Sequence, residues 1–265
     1  STGSKRTFSE ISVSFVFRDK SSTINMTYTL PSTEEKSSYV EAKFDEIAQK
    51  YDRFNDVITF GMHRYWKRFV VRQAGLRPDE ECLDLCCGTG DISREVLRQH
   101  PECKVTGLDF SAEMLKIAES KNKPNSRIQY LQGDAMNIPF PDANFDAVTI
   151  GYGLRNVPDI NGCLQEILRV LKPGGVLVSL DVGKVRLPII AELNNFYFFR
   201  IVPLIGNMLM PGQEMFQYLP HSSVEYPNQE LLKRMMLEIG FKQAEIHDFV
   251  FGASTVHVAY KPTNI

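Results

Sequence analysis

The chain has 265 residues, of which 43% are hydrophobic and 23% charged, and its formal net charge is −2. These values are typical of one large globular α/β domain with additions, and the low charge offers no basic face for a nucleic-acid partner. Its five cysteines fit neither a disulfide framework nor a zinc spacing, so we expect a reducing compartment and no metal site.

Two segments precede the predicted core. Residues 1–36 alternate partly like strands, which predicts an N-terminal extension formed by a small hairpin or a mobile arm. In residues 37–75, apolar side chains from Phe44 to Tyr51 recur at helical spacing, and aromatic residues mixed with Asn, His and Arg follow. This segment is either a lid over a pocket or a helix that only packs on the sheet.

The run Cys-Leu-Asp-Leu-Cys-Cys-Gly-Thr-Gly-Asp, from Cys82 to Asp91, predicts a strand that ends in a glycine turn before a helix. Gly88 and Gly90 allow a tight backbone and the close approach of a ligand. The next predicted strand ends at Asp109, about 20 residues further on, where a ribose-binding carboxylate is expected. Taken alone, the turn is equally compatible with an ordinary strand-to-helix loop.

Two common nucleotide-binding fingerprints do not fit this turn. Cys86 occupies the position of the first glycine of G-x-G-x-x-G, and no third glycine follows at the required place. The Lys-Ser/Thr ending of a phosphate-binding loop is also missing. A ligand with a ribose and no pyrophosphate remains, and S-adenosylmethionine is the common one.

Strand-like and helix-like segments then alternate, which predicts a parallel sheet covered on both faces. The fold class is therefore α/β: a Rossmann-like, doubly wound, seven-stranded sheet, mostly parallel, with an antiparallel C-terminal hairpin and N-terminal lid helices. Lys172-Pro-Gly-Gly175 is expected to close a helix. Strands are predicted near 81–86, 104–109, 127–132, 144–150, 175–182, 242–249 and 254–260, and helices near 91–100, 111–121, 160–171 and 228–239.

The most apolar run is 196–210. It falls short of the roughly 20 uninterrupted apolar residues that span a bilayer, because Arg200, Pro203 and Gly206 interrupt it. We expect a buried or pocket-lining helix here, with a dimer or core helix as the alternative.

Six motifs show that the chain resembles the UbiE/MenG family of quinone-precursor C-methyltransferases, which have the class I S-adenosylmethionine-dependent fold. The resemblance covers about residues 40–262. The motifs are Tyr51-Asp-x-x-Asn-Asp56, Phe60-Gly-Met-His-Arg-Tyr-Trp-Lys-Arg68, Leu85-Cys-Cys-Gly-Thr-Gly-Asp91, Asn137-Ile-Pro-Phe-Pro-Asp142, Gly153-Leu-Arg-Asn-Val157 and Arg169-Val-Leu-Lys-Pro-Gly-Gly175.

The resemblance implies S-adenosylmethionine as the cofactor. Asp109 would accept hydrogen bonds from the ribose hydroxyls, and Asp134 would meet the adenine amino group. For Asp109, the alternative is a helix N-cap ahead of Ser111. The cofactor-binding residues expected from the resemblance and the strand ends are Asp84, Gly88, Thr89, Gly90, Asp109, Phe110, Asp134, Ala135 and Gly151.

The implied reaction methylates a ring carbon ortho to a phenol, which requires a base or a group that stabilises the phenolate. The candidate catalytic residues are Arg155, Asn156, Tyr51 and His63. Arg155 could hold a phenolate or orient a water, Asn156 could position the ring oxygen, and His63 can accept a proton near neutral pH. The alternatives are a strand-end cap or salt bridge for the first two and a non-catalytic buried histidine for His63.

The implied substrate is a lipophilic quinol with a demethylmenaquinol, phylloquinol or ubiquinol ring. Its prenyl tail would bind in the cap insertion, 188–225, of a single methyltransferase domain at 37–265. Since such a substrate resides in the bilayer, we expect peripheral membrane contact from the cytoplasm or an organelle interior, with a homodimer or a quinone-biosynthesis complex as candidate assemblies. The apolar residues concerned are Phe196, Tyr197, Phe199, Ile201, Val202, Leu204 and Ile205.

The sequence departs from the family pattern at several positions. Gly151 stands where other members carry a serine, Asp134 is an asparagine in some, and Asp181 replaces a common glutamate. The run from Tyr218 to Ser222 also differs, which leaves the ring and the tail of the substrate open. Two other functions stay open: methylation of a soluble phenol or natural product, and cofactor binding without methylation, as in a pericyclase or an assembly subunit.

Overall fold

The structure is a computed structural model that describes residues 33–122, 127–212 and 215–263. The hairpin or arm predicted for the N-terminal extension lies outside these residues, except that positions 33–36 form the start of the first helix, α1 (Thr33–Ile47). Helices α2 (Tyr51–Ile58) and α3 (Met62–Ala74) follow. The lid segment therefore consists of three consecutive helices.

Seven strands form one sheet in the order β3-β2-β1-β4-β5-β7-β6. The first five pair in parallel, and the last two add an antiparallel hairpin next to β5. This arrangement confirms the predicted fold class. The strands are β1 (Glu81–Leu85), β2 (Lys104–Asp109), β3 (Ile128–Gln132), β4 (Phe145–Gly151), β5 (Leu171–Val182), β6 (Gln243–Phe249) and β7 (Ser254–Tyr260).

Helices cover both faces of the sheet, as parallel strands require. Alternate residues of the central strands enter two separate cores: Leu83 and Leu85 of β1 pack into one, and Cys82 packs into the other. The remaining helices are α4 (Asp91–Gln99), α5 (Ala112–Ser120), α6 (Ile160–Val170), α7 (Pro188–Phe196), α8 (Val202–Leu209), α9 (Met215–Glu225) and α10 (Gln229–Ile239).

The expected role of Lys172-Pro-Gly-Gly175 as a helix-closing segment was wrong. Helix α6 ends at Val170 because Leu171 already has extended dihedrals, φ −69° and ψ 138°. The four residues lie inside β5, where the pairing with β4 shifts register between Phe145 and Ala147. The proline and glycines therefore form an irregularity within a strand that begins earlier than predicted.

A third apolar cluster joins the lid to the cap segment. Phe54 of α2 packs against Phe216 of α9 with ring centroids 4.7 Å apart. Val40 and Ile47 of α1 and Val202 of α8 belong to the same buried group. The lid helices are thus held by apolar contacts with residues more than 150 positions later in the chain.

The helix expected to be buried or pocket-lining at 196–210 is partly or fully exposed over most of that run, in which only Val202, Gly206 and Met210 are buried. Pro188–Leu209 is one continuous helical rod of 22 residues with a π-helical turn at Tyr197–Ile201. Ile189 and Met208 are 77% and 76% exposed. By length and composition alone the rod is apolar enough to cross a membrane. Its inner side packs on the third cluster through Val202 and Gly206, and Tyr197, Phe198 and Leu209 are partly buried against the same cluster.

We predict that Gly206→Ala destabilises the protein, although alanine normally favours a helix by about 1 kcal/mol over glycine. A Cβ at this position would overlap the ring of Phe216, so the free energy of unfolding should fall by about 1–3 kcal/mol. Denaturant unfolding measures the difference. Met208→Ala, on the exposed side of the same helix, is the control and should change stability by less than about 0.5 kcal/mol. A more stable Gly206→Ala variant would contradict the packing described.

Candidate functional site

The glycine turn between β1 and α4 bends through left-handed backbone conformations. Cys86 has φ 53°, Gly88 φ 54° and Gly90 φ 76°. A Cβ on Gly90 would also overlap the hydroxyl of Tyr130, which reaches under the turn from β3. Gly90 is therefore required both for its backbone conformation and for its small size.

Asp84 connects the turn to the elements around it. Its Oδ2 accepts from the Ser93 amide at 2.9 Å and from the Ser93 hydroxyl at 2.6 Å, and its Oδ1 accepts from Thr149 Oγ1 at 3.0 Å. Burial raises the pKa of Asp84 to about 6. This predicted cofactor residue thus braces α4 and β4 while also lining the pocket above the turn.

Asp109 lies at the carboxyl end of β2, directly beside the turn. Its Oδ2 accepts from the Gly88 amide at 2.8 Å, and its Oδ1 accepts from the Ser111 amide at 3.0 Å. The N-cap of α5 is Ser111, whose hydroxyl accepts from Met114, so the N-cap interpretation of Asp109 does not apply. Burial raises the pKa of Asp109 to about 6 despite these hydrogen bonds.

A pocket opens above the turn, between the lid and the ends of β1 and β4. It brings together the predicted residues Tyr51, Asp84, Gly88, Thr89 and Gly151. Lys67, Cys86, Cys87, Asp91, Ile92 and Tyr152 complete its lining.

Phe110, Asp134 and Ala135 follow β2 and β3 and lie at the same edge of the sheet without lining this pocket. Asp134 accepts from the amide of Met136 at 2.9 Å, and Ala135 is buried. Among all described residues, no group of three or more His, Cys, Asp and Glu side chains could hold a metal ion.

The glycine at position 151 has a packing reason. A Cβ at Gly151 would lie 2.6 Å from Cδ1 of Ile92. Ile92, in the first turn of α4, occupies the space that a serine side chain would need. This departure from the family pattern is therefore linked to the size of a residue on the neighbouring helix.

Arg155 and Asn156 form a buried polar group after β4. Arg155 Nη1 donates to Asp181 Oδ1 at 2.6 Å and to the Tyr152 carbonyl at 3.0 Å, and Asn156 Oδ1 accepts from the Tyr218 hydroxyl at 3.1 Å. Burial alone would lower the pKa of Arg155, but the charge of Asp181 raises it above its ordinary value. Arg155 Nε has no hydrogen-bond partner among the described residues.

His63 and Tyr51 occupy different positions relative to the pocket. Tyr51 lines it. The ring of His63 is buried, its Nε2 lies 2.8 Å from Asp56 Oδ1, and it is not among the residues that line the pocket. Burial lowers the pKa of His63. The hydrogen bond to Asp56 joins the two ends of the turn between α2 and α3.

Polar contacts that the sequence interpretation missed hold the lid over the site. Asp52 accepts from the Thr89 hydroxyl at 2.6 Å and also pairs with Lys121, and Asp45 accepts from the Ser111 hydroxyl at 2.5 Å. Lys36 Nζ donates to the Arg155 carbonyl at 3.1 Å. Asp45 is on α1 and Asp52 is on α2, so no single helical periodicity in the sequence predicts that both face the site.

These residues fit a nucleoside with an amino-acid end. The turn is open where Gly88 lies, since a Cβ there would meet no atom within 4 Å. The buried carboxylate of Asp109 suits ribose hydroxyls. Asp109, Gly88 and Thr89 would hold S-adenosylmethionine, which supplies an electrophilic methyl group when bound.

Comparisons with known proteins agree with this geometry. The model of the ubiE/COQ5 methyltransferase family matches residues 32–261. The demethylmenaquinone methyltransferase of Leptospira interrogans serovar copenhageni is 44% identical over 89% of this chain and 98% of its own length. The enzyme of the same name from Staphylococcus aureus strain JH9 is 39% identical over 84% of this chain and 92% of its own length.

Solved structures share the fold at low sequence identity. A Thermotoga maritima S-adenosylmethionine-dependent methyltransferase aligns with TM-score 0.58 and 20% identity, over 83% of this chain and 99% of its own. The Haemonchus contortus phosphoethanolamine N-methyltransferase 2, in complex with S-adenosylmethionine, aligns with TM-score 0.55 and 17% identity, over 75% of this chain and 52% of its own.

We predict that binding of S-adenosylhomocysteine weakens as the pH falls through about 6, because ribose hydroxyls need the ionised form of Asp109 as their acceptor. With a pKa of about 6, the dissociation constant should rise about tenfold between pH 7 and pH 5. Isothermal titration calorimetry measures it. Asp109→Asn should bind S-adenosylhomocysteine weakly at both pH values, with no tenfold change in the dissociation constant between them. Asp84 has a similar pKa, so a step that persists in Asp109→Asn would assign the effect to another group.

Proposed function

The chain belongs to the ubiE/COQ5 methyltransferase family, and from that premise we propose that it transfers a methyl group from S-adenosylmethionine to a ring carbon of a demethylmenaquinol-type hydroquinone. Its class, an S-adenosylmethionine-dependent C-methyltransferase of quinone biosynthesis, follows from the family and the relatives. The names of those relatives favour a naphthoquinol ring over a benzoquinol ring. The observation that carries the proposal is the buried Arg155 beside the cofactor pocket.

Arg155 acts on the acceptor ring as a fixed cation. A ring carbon becomes a good nucleophile when the neighbouring phenol loses its proton, and a guanidinium near the oxygen favours the phenolate. Asp181 raises the pKa of Arg155, so Arg155 stays protonated and stabilises the anion rather than removing the proton. The phenolic proton passes to solvent, since Arg155 lowers the pKa of the phenol. After the methyl group has moved from sulfur to carbon, the methylated carbon loses its ring proton and the oxygen is protonated again, which restores the hydroquinone.

Asp181 positions this cation, and Tyr218 positions the neighbouring Asn156. Asp181 accepts from both the side chain and the backbone amide of Arg155, and the ring of Tyr152 lies 5.5 Å from the guanidinium carbon. Asn156 receives a hydrogen bond from Tyr218 on α9. The ring oxygen therefore meets donors whose orientation is fixed from two separate elements.

The lid excludes water from the same space. Tyr51 lies over the glycine turn, and Asp52 next to it is bonded to Thr89. Exclusion of water strengthens the interaction between Arg155 and a phenolate and protects the sulfonium from side reactions. Opening the lid for cofactor exchange would break the hydrogen bonds of Asp45 and Asp52.

The apolar rod of α7 and α8 gives the protein a surface for the membrane in which its substrate resides. Within 188–209 only Glu192 and Arg200 carry charge. Phe60 adds to this surface: it is 78% exposed with φ 51°, an unfavourable conformation for a large residue. Its ring stacks on Tyr197 at 6.4 Å, and the Tyr197 hydroxyl donates to the Ile58 carbonyl at 2.8 Å. The lid and the rod thus form one apolar surface, typical of peripheral membrane contact.

We predict that the protein methylates reduced demethyl-naphthoquinols faster than demethyl-benzoquinols when incubated with methyl-labelled S-adenosylmethionine under reducing conditions. Arg155→Ala should lose about 100-fold or more in kcat while retaining its affinity for S-adenosylhomocysteine. The exposed Arg200→Ala is the matched control and should keep the wild-type kcat on a tail-less quinol. Absence of transfer to every quinol tested would contradict the proposed acceptor without affecting the family assignment.

We predict that the protein floats with vesicles of phosphatidylcholine and phosphatidylglycerol. The combined variant Phe60→Ser, Ile189→Ser and Leu193→Ser should lose most of this binding because it removes three exposed apolar side chains from the rod surface. The control, Leu231→Ser with Leu237→Ser, alters exposed leucines on α10 and should float like the wild type. Unchanged flotation of the triple variant would contradict the membrane surface. Conversion of a dimer to a monomer instead would assign this face to a second copy of the chain.

A further inference from the structure

Lys67 is a pocket residue with no role in the function described above. It belongs to α3, and its side chain is only 13% exposed. Its Nζ donates to Asp91 Oδ2 at 2.7 Å, and this is its single hydrogen bond to the described part of the chain. Two N–H donors of a largely buried ammonium therefore have no protein acceptor there, in a space lined by the glycine turn.

Asp91 does not neutralise this ammonium alone. Its other oxygen accepts from Arg94 at 2.6 Å, and Arg94 also donates to the Thr89 carbonyl at 2.7 Å. Burial opposes the ionisation of Asp91, but Lys67 and Arg94 hold its pKa down to about 2. Two cations thus share one carboxylate beside the turn. Asp84, the other carboxyl group that lines the pocket, makes no hydrogen bond to Lys67, so the unused N–H donors of Lys67 suit an anionic group of a ligand.

The direction of the bound nucleoside follows from Asp109. With the ribose at Asp109, which is bonded to the Gly88 amide, the amino-acid end of the cofactor extends past Gly88 and Thr89, two residues that line the same pocket as Lys67. We infer that Lys67 binds the α-carboxylate of this amino-acid end. The inference rests on the proposed function for the identity of the cofactor and is independent of the quinol.

A salt bridge that only joins α3 to α4 would use the same contact between Lys67 and Asp91. The two roles differ in the ligands they affect. Loss of a carboxylate-binding lysine weakens the binding of a nucleoside with an amino-acid end and spares one without it. Loss of a helix contact weakens the binding of both nucleosides to the same degree. 5′-Methylthioadenosine has the adenine, ribose and sulfur of S-adenosylhomocysteine and lacks the amino-acid end.

The test is calorimetric binding of both nucleosides to the wild type and to Lys67→Met. The dissociation constant for S-adenosylhomocysteine should rise roughly 10- to 100-fold, the effect of losing a charge-assisted hydrogen bond. That for 5′-methylthioadenosine should change less than about twofold. Lys67→Arg, which keeps the charge, should restore most of the affinity. Arg68→Met, an adjacent exposed position, is the matched control and should bind both ligands normally.

Several results would overturn the inference. If Lys67→Met bound both ligands equally more weakly, Lys67 would serve only as a contact between α3 and α4. Unchanged affinity for S-adenosylhomocysteine would exclude a contact between Lys67 and the carboxylate. If Lys67→Met does not fold, Lys67→Gln, a neutral residue that still donates hydrogen bonds, replaces it. Selective loss in the variant together with no methylation of any quinol would support Lys67 while contradicting the proposed acceptor. A wild type that binds neither nucleoside would contradict both.

Discussion

The site depends on two carboxylates buried at the ends of adjacent parallel strands. Asp84 and Asp109 fix the glycine turn from below and from the side, through Ser93, Thr149 and the amide of Gly88. Burial raises the pKa of both to about 6. The protonated carboxyl groups therefore stabilise the fold, fully below the ordinary aspartate pKa, and this stabilisation is lost as the pH rises through about 6. At neutral pH each ionised group costs about 3 kcal/mol relative to acidic solution.

That cost is consistent with a site arranged for a ligand. A carboxylate that is poorly solvated in the free protein gains most when hydroxyl donors reach it, so binding the ribose would offset part of the penalty. Arg155 follows the same principle with opposite charge. Asp181 compensates the charge of Arg155, and the Nε of Arg155 lacks a partner among the described residues. This edge of the sheet thus holds a carboxylate and a guanidinium at defined positions.

The lid and the apolar rod connect this pocket to its surroundings. Polar contacts from Asp45 and Asp52 join the lid to the turn, whereas Phe54 joins it to α9 through apolar packing. Opening the lid therefore breaks few hydrogen bonds but requires the third apolar cluster to separate or to move as a unit. The rod leaves Ile189 and Met208 exposed, a cost in water that contact with lipid would remove.

The sequence by itself determined the fold class, the glycine turn and the positions of Asp109 and of the pair Arg155-Asn156 at the ends of strands. It could do so because the spacing of strands and turns is a local property of the chain. Periodicity could not distinguish the buried helix expected at 196–210 from the exposed rod, since both are apolar and interrupted at the same residues. It also did not show that Lys172–Gly175 lies inside a strand, because β5 extends back to Leu171 through its pairing with Phe145 of β4, a residue distant in the chain. Only the tertiary structure brought Lys67 to Asp91, Asp52 to Thr89 and Ile92 to Gly151. These contacts join residues on different elements, and their distances depend on how helices pack on the sheet rather than on any pattern along the chain.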